Sequence, residues 1–325
     1  MADPAIDVKA VEKRFVVRAK TGRLRRERRV VMAVDGISFE IERGSMVGYV
    51  GPNGAGKSTT VKMLTGILVP SAGHLRVAGL DPPRQRIELA RRIGVVFGQR
   101  SQLWWDLPLA DSFELLRHIY RVPEARHREN LAQFTDVLAL GSFIATPVRQ
   151  LSLGQRMRGE LTAALLHDPE IVFLDEPTIG LDVVAKAAVR EFLAEVNRER
   201  GVTVLLTTHD LADIERLCSR LLIIDHGHLI WDGGLDELKR RYGQERTMVI
   251  DLEEPAPPLE VSGARVVKVD GPRQWLAFRR DQTSAAELTA AVAAKARLVD
   301  LAIEETDIEE IVRRIYAAGA APAGS

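Results

Sequence analysis

The glycine-rich segment Gly51–Ser58 has the spacing G-x-x-x-x-G-K-[ST], which is typical of a loop that binds the phosphates of a nucleotide. Glycine lets the backbone wrap closely around phosphate oxygens, and the free N–H groups at the start of the next helix donate to them. Lys57 is expected to reach the β- and γ-phosphates, and the Ser58 hydroxyl to bind Mg²⁺. A glycine turn that only caps a helix is the alternative, but a preceding strand and a following helix favour phosphate binding. The candidate phosphate-binding residues are Gly51, Pro52, Asn53, Gly54, Ala55, Gly56, Lys57, Ser58 and Thr59.

Two adjacent carboxylates, Asp175 and Glu176, follow the apolar run Ile171–Leu174. Such a run is typical of a strand buried on both faces of a sheet. Asp175 is placed to hold Mg²⁺, directly or through water, and Glu176 is placed to activate an attacking water molecule. Solvation of a strand end would explain the pair if it stood alone. A phosphate loop earlier in the chain favours the catalytic interpretation.

The segment Leu151–Gln155 precedes a helical pattern over Arg156–His167. Its serine and glycine are compatible with an ordinary helix N-cap. They are equally compatible with a second phosphate site at the helix N-terminus. The segment alone leaves both interpretations open.

Short β-branched runs alternate with longer helical patterns, which indicates an α/β fold. The expected strands are Ile6–Val11, Met46–Val50, Ile93–Phe97, Ile171–Leu174, Val202–Thr207 and Leu221–Asp225. The expected helices are Lys57–Gly66, Leu109–Tyr120, Arg128–Leu138, Gly154–His167 and Val184–Arg200. The phosphate loop and the two carboxylates therefore each follow a strand.

The length of 325 residues suggests about two domains. The chain carries 45 Lys and Arg residues against 45 Asp and Glu residues, and this balance argues against a generally nucleic-acid-binding surface. Cys218 is the one cysteine, so no internal disulfide is possible. Apolar stretches such as Val202–Leu206 are too short to cross a membrane as a helix. We therefore expect a chain that is soluble by itself and takes any membrane role through a partner.

The composition changes near Tyr242, which predicts a first domain over residues 1–242, containing the phosphate loop, and a small α+β domain over residues 243–318. Residues 319–325 are expected to form a disordered tail. The small domain offers no catalytic constellation, so dimer contact or regulation is its expected role. Its expected elements are the strands Thr247–Leu252, Ala264–Val269, Trp275–Arg279 and Val299–Ile303 and the helices Ser284–Lys295 and Ile308–Tyr316.

A basic run at Arg23–Arg29 contains five arginines against the single acid Glu27. A solvated hairpin tip explains such a run. Contact with anionic lipid head groups is the alternative, because basic residues near such a surface are attracted to it. The sequence leaves both open.

These motifs, in this order, resemble the nucleotide-binding subunit of ABC transporters over about residues 6–240. The resemblance implies a P-loop NTPase cassette whose core carries an antiparallel β-subdomain and a helical subdomain. It also implies that two copies pair head to tail. ATP would lie between the Walker A loop of one copy and the signature loop of the other.

The resemblance assigns roles to individual residues of this chain. Gly51–Ser58 is similar to the Walker A loop, Asp175 to the Walker B aspartate and Glu176 to the general base. By the same resemblance, Gln99 would sense Mg²⁺ and the γ-phosphate, and His209 would contact the γ-phosphate. The implied cofactors are ATP and Mg²⁺. The remaining implied nucleotide contacts are Ser152, Gly154 and Gln155 of the signature loop, Asp182 of the D-loop, and Phe15 as the aromatic residue that stacks on adenine.

One residue departs from the family pattern: Leu153 occupies the first glycine position of the usual Leu-Ser-Gly-Gly-Gln signature. A leucine would be strained there if that glycine has an unusual backbone angle. Gly154 is retained, so we expect a competent site with altered loop packing.

Three stretches resemble the drug-export branch of the family, including daunorubicin and viologen efflux ATPases: Val95–Leu107, Thr178–Val184 and Ile303–Tyr316. This resemblance implies an ATPase that drives export through separate membrane permease subunits, at the cytoplasmic face of the cell membrane. Arg100–Leu109, which contains Trp104 and Trp105, would face the permease. The alternative is an ABC-type ATPase that acts on the ribosome or on nucleic acid. One cassette, no sustained heptads and zero net charge argue against it, so no nucleic acid partner is expected.

Overall fold

The computed structural model describes residues 3–20, 26–97, 101–208, 210–279 and 281–319. The chain divides into two compact units, Met1–Asp232 and Gly233–Ser325. This division falls before the sequence boundary at Tyr242, so the helix Leu235–Tyr242 is grouped with the second unit. Of the tail expected over residues 319–325, only Gly319 is described, and it ends the last helix.

The first unit is built from an antiparallel sheet, a larger mainly parallel sheet and the helices that connect their strands. The strands in chain order are β1 (Ile6–Lys20), β2 (Arg26–Ile41), β3 (Met46–Val50), β4 (Ala72–Val77), β5 (Ile93–Phe97), β6 (Ile171–Asp175), β7 (Thr203–Thr207), β8 (Arg220–Asp225) and β9 (His228–Gly234). The helices are α1 (Lys57–Leu64), α2 (Arg86–Ala90), α3 (Leu109–Tyr120), α4 (Glu124–Val137), α5 (Leu153–Leu165), α6 (Val183–Arg200) and α7 (Leu211–Leu217), with a 3₁₀ turn at Val148–Gln150.

The large sheet has the strand order β5-β6-β7-β3-β8-β9, and its first five strands pair in parallel. Their continuous apolar sequences bury almost every residue of β3, β6 and β7, as expected for strands covered on both faces. Because parallel strands end at one edge, the loops that follow β3, β6 and β7 meet there. The predicted α/β fold is confirmed, and β5 and α3 have the predicted bounds.

The antiparallel sheet has the order β2-β1-β4. Strand β1 continues past its predicted end at Val11 to Lys20, because its pairing with β2 extends far beyond its pairing with β4. Buried Ile6, Val8 and Ile41 anchor this sheet in the core that also contains Val47 and Phe173 of the large sheet. The result is a long hairpin attached at its base.

The helical part of the first unit includes α3, α4 and α5. Helices α3 and α4 bury Phe113 and Phe134 completely, and Phe134 meets Phe192 of α6 edge-on at 5.5 Å between ring centroids. The first residue of α5 is Leu153, and Ser152 is its N-cap. The segment predicted as a signature loop therefore lies at a helix start.

The second unit is a four-stranded antiparallel sheet with the order β11-β12-β10-β13 and three helices. Its core contains Met248, Ile250, Leu276 and Phe278 from the strands and Leu288 from the middle helix. The elements are α8 (Leu235–Tyr242), β10 (Glu245–Leu252), β11 (Ala264–Asp270), β12 (Arg273–Arg279), α9 (Ala285–Ala293), β13 (Leu298–Glu305) and α10 (Ile308–Gly319).

Candidate active site

A cleft of about 540 Å³ opens where the loops after β3 and β6 meet the end of β5. Among the described residues, every predicted phosphate-binding residue except Gly51 lines it. Asp175 and Glu176 line the same cleft, so the tertiary structure brings the two strongest sequence motifs together. The other lining residues are Ala33, Lys62, Ile67, Phe97 and Ile179.

The loop after β3 requires glycine at three positions. Gly54 and Gly56 have φ values of 84° and 113°, which side-chain-bearing residues rarely adopt. A Cβ on Gly51 would lie 2.4 Å from the Ile224 carbonyl oxygen. In the described part of this loop, no side chain caps the start of α1. Its first N–H groups are therefore left to bind an anion, and the helix dipole favours one.

The ammonium of Lys57 is held inside the loop by main-chain carbonyls. Its Nζ donates to the carbonyl oxygen of Gly51 and, at 3.2 Å, to that of Pro52. Burial lowers the pKa of Lys57, and the negative charges of Glu176 and Asp175 oppose that shift. The lysine is thus a largely buried cation between the phosphate loop and the acidic pair, positioned to bind a phosphate oxygen.

Thr207 orients the acidic pair, and sequence reasoning did not single it out. Strands β6 and β7 pair so that Asp175 lies beside Thr207, whose hydroxyl donates a hydrogen bond to Asp175 Oδ1. The Glu176 amide also donates to the Thr207 carbonyl oxygen at 2.9 Å. The only sequence signal is a threonine at the end of the predicted strand Val202–Thr207. The register of the sheet is needed to place it.

Glu176 adopts a left-handed backbone conformation with φ of 57°. This region is sparsely populated by residues other than glycine, asparagine and aspartate, and such conformations concentrate at functional sites. The turn begins directly after β6 and places Glu176 in the lining of the cleft. No pattern in the sequence indicates this conformation.

The donor set in the cleft fits Mg²⁺. Ser58 and Asp175 offer a hydroxyl and a carboxylate oxygen, the hard ligands that Mg²⁺ prefers, and both line the cleft. The described residues contain no group of three or more His, Cys, Asp or Glu side chains that could hold a metal ion. This fits an ion bound by few protein ligands together with substrate phosphates and water. The two other residues predicted near the γ-phosphate, Gln99 and His209, lie outside the described residues.

Asp210, the residue that follows His209, belongs to a network of charged side chains. Lys186 Nζ donates to Asp210 Oδ2 at 2.7 Å, and this hydrogen bond lowers the pKa of Asp210. The fully buried Asp213 accepts from Arg190 and from the Thr178 hydroxyl. Thr178 belongs to the turn after Glu176, so α6 and the start of α7 are tied to the acidic end of β6. Sequence reasoning missed this network.

Ser152 and Gln155 form a capping box at the start of α5. The Gln155 amide donates to Ser152 Oγ at 3.2 Å, and the Ser152 amide donates to Gln155 Oε1 at 2.8 Å. The N-cap interpretation is thereby confirmed for the side chains, while a phosphate role for the helix start stays a prediction. Within the described chain, the lining of the cleft does not include Ser152, Gly154 or Gln155.

Leu153 takes its place without backbone strain. It is the first residue of α5 and is not among the described non-glycine residues with positive φ. A Cβ atom added to Gly180 would lie 2.5 Å from the Cδ2 atom of Leu153. Leu153 therefore packs against the turn that precedes Asp182. Asp182 caps α6, because its Oδ1 accepts a hydrogen bond from the Ala185 backbone amide at 2.8 Å.

Phe15 is a half-exposed residue of β1, and Lys13 Nζ lies 5.2 Å from its ring centroid. Over the described residues, the cleft lining does not include it. Its assignment as the adenine-stacking residue stays a prediction.

The segment expected to face a permease exposes two tryptophans. Arg100 is outside the described residues, but Trp104 and Trp105 are 37% and 52% exposed. Buried Glu160 of α5 fixes the start of the segment by accepting from the Ser101 hydroxyl and, at 3.2 Å, from the Gln102 amide. Burial raises the pKa of Glu160. Across the described residues, no helix has the length and apolar character needed to span a bilayer.

Comparison with known proteins agrees with this geometry. The family model described as ABC transporter matches residues 34–179. The ABC transporter ATP-binding protein NatA of Bacillus subtilis is 32% identical over 69% of this chain and 90% of its own length. The daunorubicin resistance ATP-binding protein DrrA3 of Streptomyces coeruleorubidus is 36% identical over 77% and 74%. A dimeric ATP-binding cassette in a post-hydrolysis state, bound to ADP and Pi, superposes with a TM-score of 0.61 at 25% identity, covering 71% of this chain and 98% of that one.

Proposed function

This chain belongs to the ABC transporter family of ATP-binding proteins, and we propose that it is the motor subunit of an exporter, in which two copies hold ATP between them. The observation that carries the proposal is the single cleft in which Lys57, Ser58, Asp175 and Glu176 converge. The ATPase activity follows from the family. Export as the direction rests on the daunorubicin resistance relative.

The cleft residues divide the work of hydrolysis. The N–H groups at the start of α1 and the Lys57 ammonium bind the triphosphate and stabilise the charge that develops as it reacts. Glu176 accepts a proton from the water whose oxygen forms a bond to the γ-phosphorus, while the bond to the β–γ bridging oxygen breaks and ADP leaves. Ser58 and Asp175 would hold Mg²⁺, which would supply further neutralisation of the phosphate charge when bound. Gln99 and His209 are proposed to contact the γ-phosphate side of the site.

The second half of the site comes from a second copy of the chain. Within the described residues, Ser152, Gly154 and Gln155 lie outside the cleft lining, which supports assigning them to a nucleotide bound by a second copy. The side chains of Ser152 and Gln155 cap α5 and fix the position of its N-terminus, which is the positive end of the helix dipole. We assign it, with Asp182 of the same copy, to the nucleotide bound in the partner's cleft. Phe15 is assigned to the adenine base.

The exposed pair Trp104 and Trp105 supports docking onto a membrane permease, because aromatic anchors dominate binding energy at protein interfaces. On this basis, we propose a peripheral position at the cytoplasmic face of the membrane. The described residues that line the cleft all belong to the first unit, and we assign the second unit to dimer contact or regulation. The alternative role on the ribosome or on nucleic acid is not favoured, because the net charge is zero and the relatives are transporter subunits.

Glu176→Gln tests the general base. We expect it to keep nucleotide binding and to lose at least about a hundredfold in turnover, because general-base catalysis contributes about 10²–10⁴-fold. Steady-state phosphate release measures turnover, and size-exclusion chromatography with ATP measures the trapped dimer. The exposed Glu124→Gln is the matched control. Normal turnover by Glu176→Gln would remove the assignment.

Mixing two inactive variants tests the shared site. Ser152→Arg should block hydrolysis without blocking ATP binding to its own chain. Mixed with Glu176→Gln, it should form one composite site that pairs an intact Glu176 with an intact Ser152, so part of the activity returns. An inactive mixture in which both variants bind ATP and form mixed dimers would contradict the two-copy arrangement.

A further inference from the structure

Strands β1 and β2 extend as a two-stranded ribbon beyond the sheet that anchors them. Pairing of β1 with β4 ends at Glu12, but its pairing with β2 continues from Arg14 opposite Met32 to Lys20 opposite Arg26. We call residues 14–20 and 26–32 the ribbon. Among the described residues, no third strand pairs with the ribbon. A two-stranded ribbon has little stability of its own in water, so its length calls for another explanation than core formation.

The ribbon exposes large apolar side chains on both of its faces. Val16, Val17, Val30, Val31 and Met32 are 64%, 48%, 58%, 40% and 37% exposed. Successive residues of a strand point to opposite faces, so the neighbouring pairs 16–17 and 30–31 make both faces apolar. A contiguous exposed apolar surface of this kind marks an interaction site.

Cations accumulate at the far end of the ribbon. In the backbone register, Arg18 lies opposite Arg28 and Lys20 opposite Arg26. Arg28 and Arg29 are exposed and form no ion pair with any described residue. The sequence adds Arg23 and Arg25 between the strands, and Glu27 is the only acid. The whole chain has zero net charge, so this part of it carries a local excess of positive charge.

We propose that the ribbon binds the surface of an anionic lipid bilayer, with its cations at the phosphate level and its valines and Met32 in the interface. Each basic residue near such a surface contributes about fivefold to affinity, and exposed apolar side chains add to it. Phe15, the exposed aromatic residue at the base of the ribbon, is already assigned to adenine, and the other five exposed apolar side chains are valine or methionine. These favour lipid over nucleic acid, since single-stranded nucleic acids stack on aromatic side chains. That the protein works beside a membrane rests on the proposed function, whereas the charged and apolar surface of the ribbon is independent of it.

Vesicle co-sedimentation of the full chain tests the surface, with phosphatidylcholine vesicles that contain or lack phosphatidylglycerol. We expect binding only to the anionic vesicles, weakening as salt rises. Arg28→Gln with Arg29→Gln should weaken it about thirtyfold, at about fivefold per charge. The strongly exposed Arg84 and Arg128, each changed to Gln, form the matched control and should bind as the wild type does.

The apolar contribution is tested by Val16→Ser with Val30→Ser, a directly opposed pair. This variant should lose the part of the binding that persists at high salt. Val69→Ser with Val299→Ser, which alters two exposed valines elsewhere, should not. Circular dichroism checks that each variant is folded.

Three results would overturn the proposal: equal binding to neutral vesicles, equal loss in the Arg84 and Arg128 control, or binding of a single-stranded oligonucleotide in place of anionic vesicles. Phosphate release without vesicles is measured on the same preparations. An inactive wild type that binds vesicles would contradict the motor function alone. An active wild type that ignores anionic vesicles would contradict the ribbon proposal alone.

Discussion

Thr207→Val isolates the contribution of one hydroxyl to the metal site. The wild-type hydroxyl donates to Asp175 Oδ1, and Thr207 is fully buried. Valine has nearly the same volume and also favours a strand, so the fold should persist. A hydrogen bond to a charged group contributes about 1.5–3 kcal/mol, equivalent to about 10–150-fold. Because Asp175 is partly exposed and water can replace the donor, the lower half of this range is expected.

The assay is ATP hydrolysis as a function of Mg²⁺ concentration at saturating ATP. We expect the half-maximal Mg²⁺ concentration to rise by about 10–40-fold, within the range found for other residues that orient a metal ligand. Thr207→Ser keeps the hydroxyl and should stay near the wild type. A thermal unfolding midpoint close to that of the wild type shows that the fold is intact. A folded Thr207→Val with wild-type Mg²⁺ dependence would refute the positioning role.

Three further predictions concern other parts of the first unit. Gly180→Ala should lower the free energy of unfolding in urea by about 1–2 kcal/mol, because Gly180 has φ of 69° and the new Cβ would meet Leu153; no loss of stability would show that the turn tolerates a side chain. Burial lowers the pKa of His167 to about 4 from 6.5, so its neutral ring stabilises the fold above pH 6.5, and that stability is lost as the pH falls towards 4. The difference in unfolding free energy between wild type and His167→Gln should therefore shrink by about 3 kcal/mol from pH 7 to pH 4, and a constant difference would contradict the burial of that ring. Lys57→Ala should weaken binding of a fluorescent ATP analogue in a direct titration, and unchanged affinity would contradict the phosphate role.

The local chemistry of the phosphate loop was predictable because its residues are neighbours in the chain. The glycines of Gly51–Ser58 set the backbone, and α1 follows immediately, so spacing alone encodes the geometry. Strands β3 and β6 were predictable for a similar reason, since an uninterrupted apolar run must be buried on both faces. The extent of β1 was not, because exposed valines between arginines have no core to indicate a strand.

The sequence by itself determined the nucleotide chemistry and the α/β class, and it predicted a separate small domain. The tertiary structure decided which groups act together: Thr207 beside Asp175, Asp213 with Thr178 and Arg190, and Leu153 against the turn at Gly180. The physical reason is that these contacts depend on strand order and register. Strand β3 pairs with β7 and β8, although most of the first unit's sequence separates it from them. No local pattern records that pairing, because burial of distant apolar surfaces selects it.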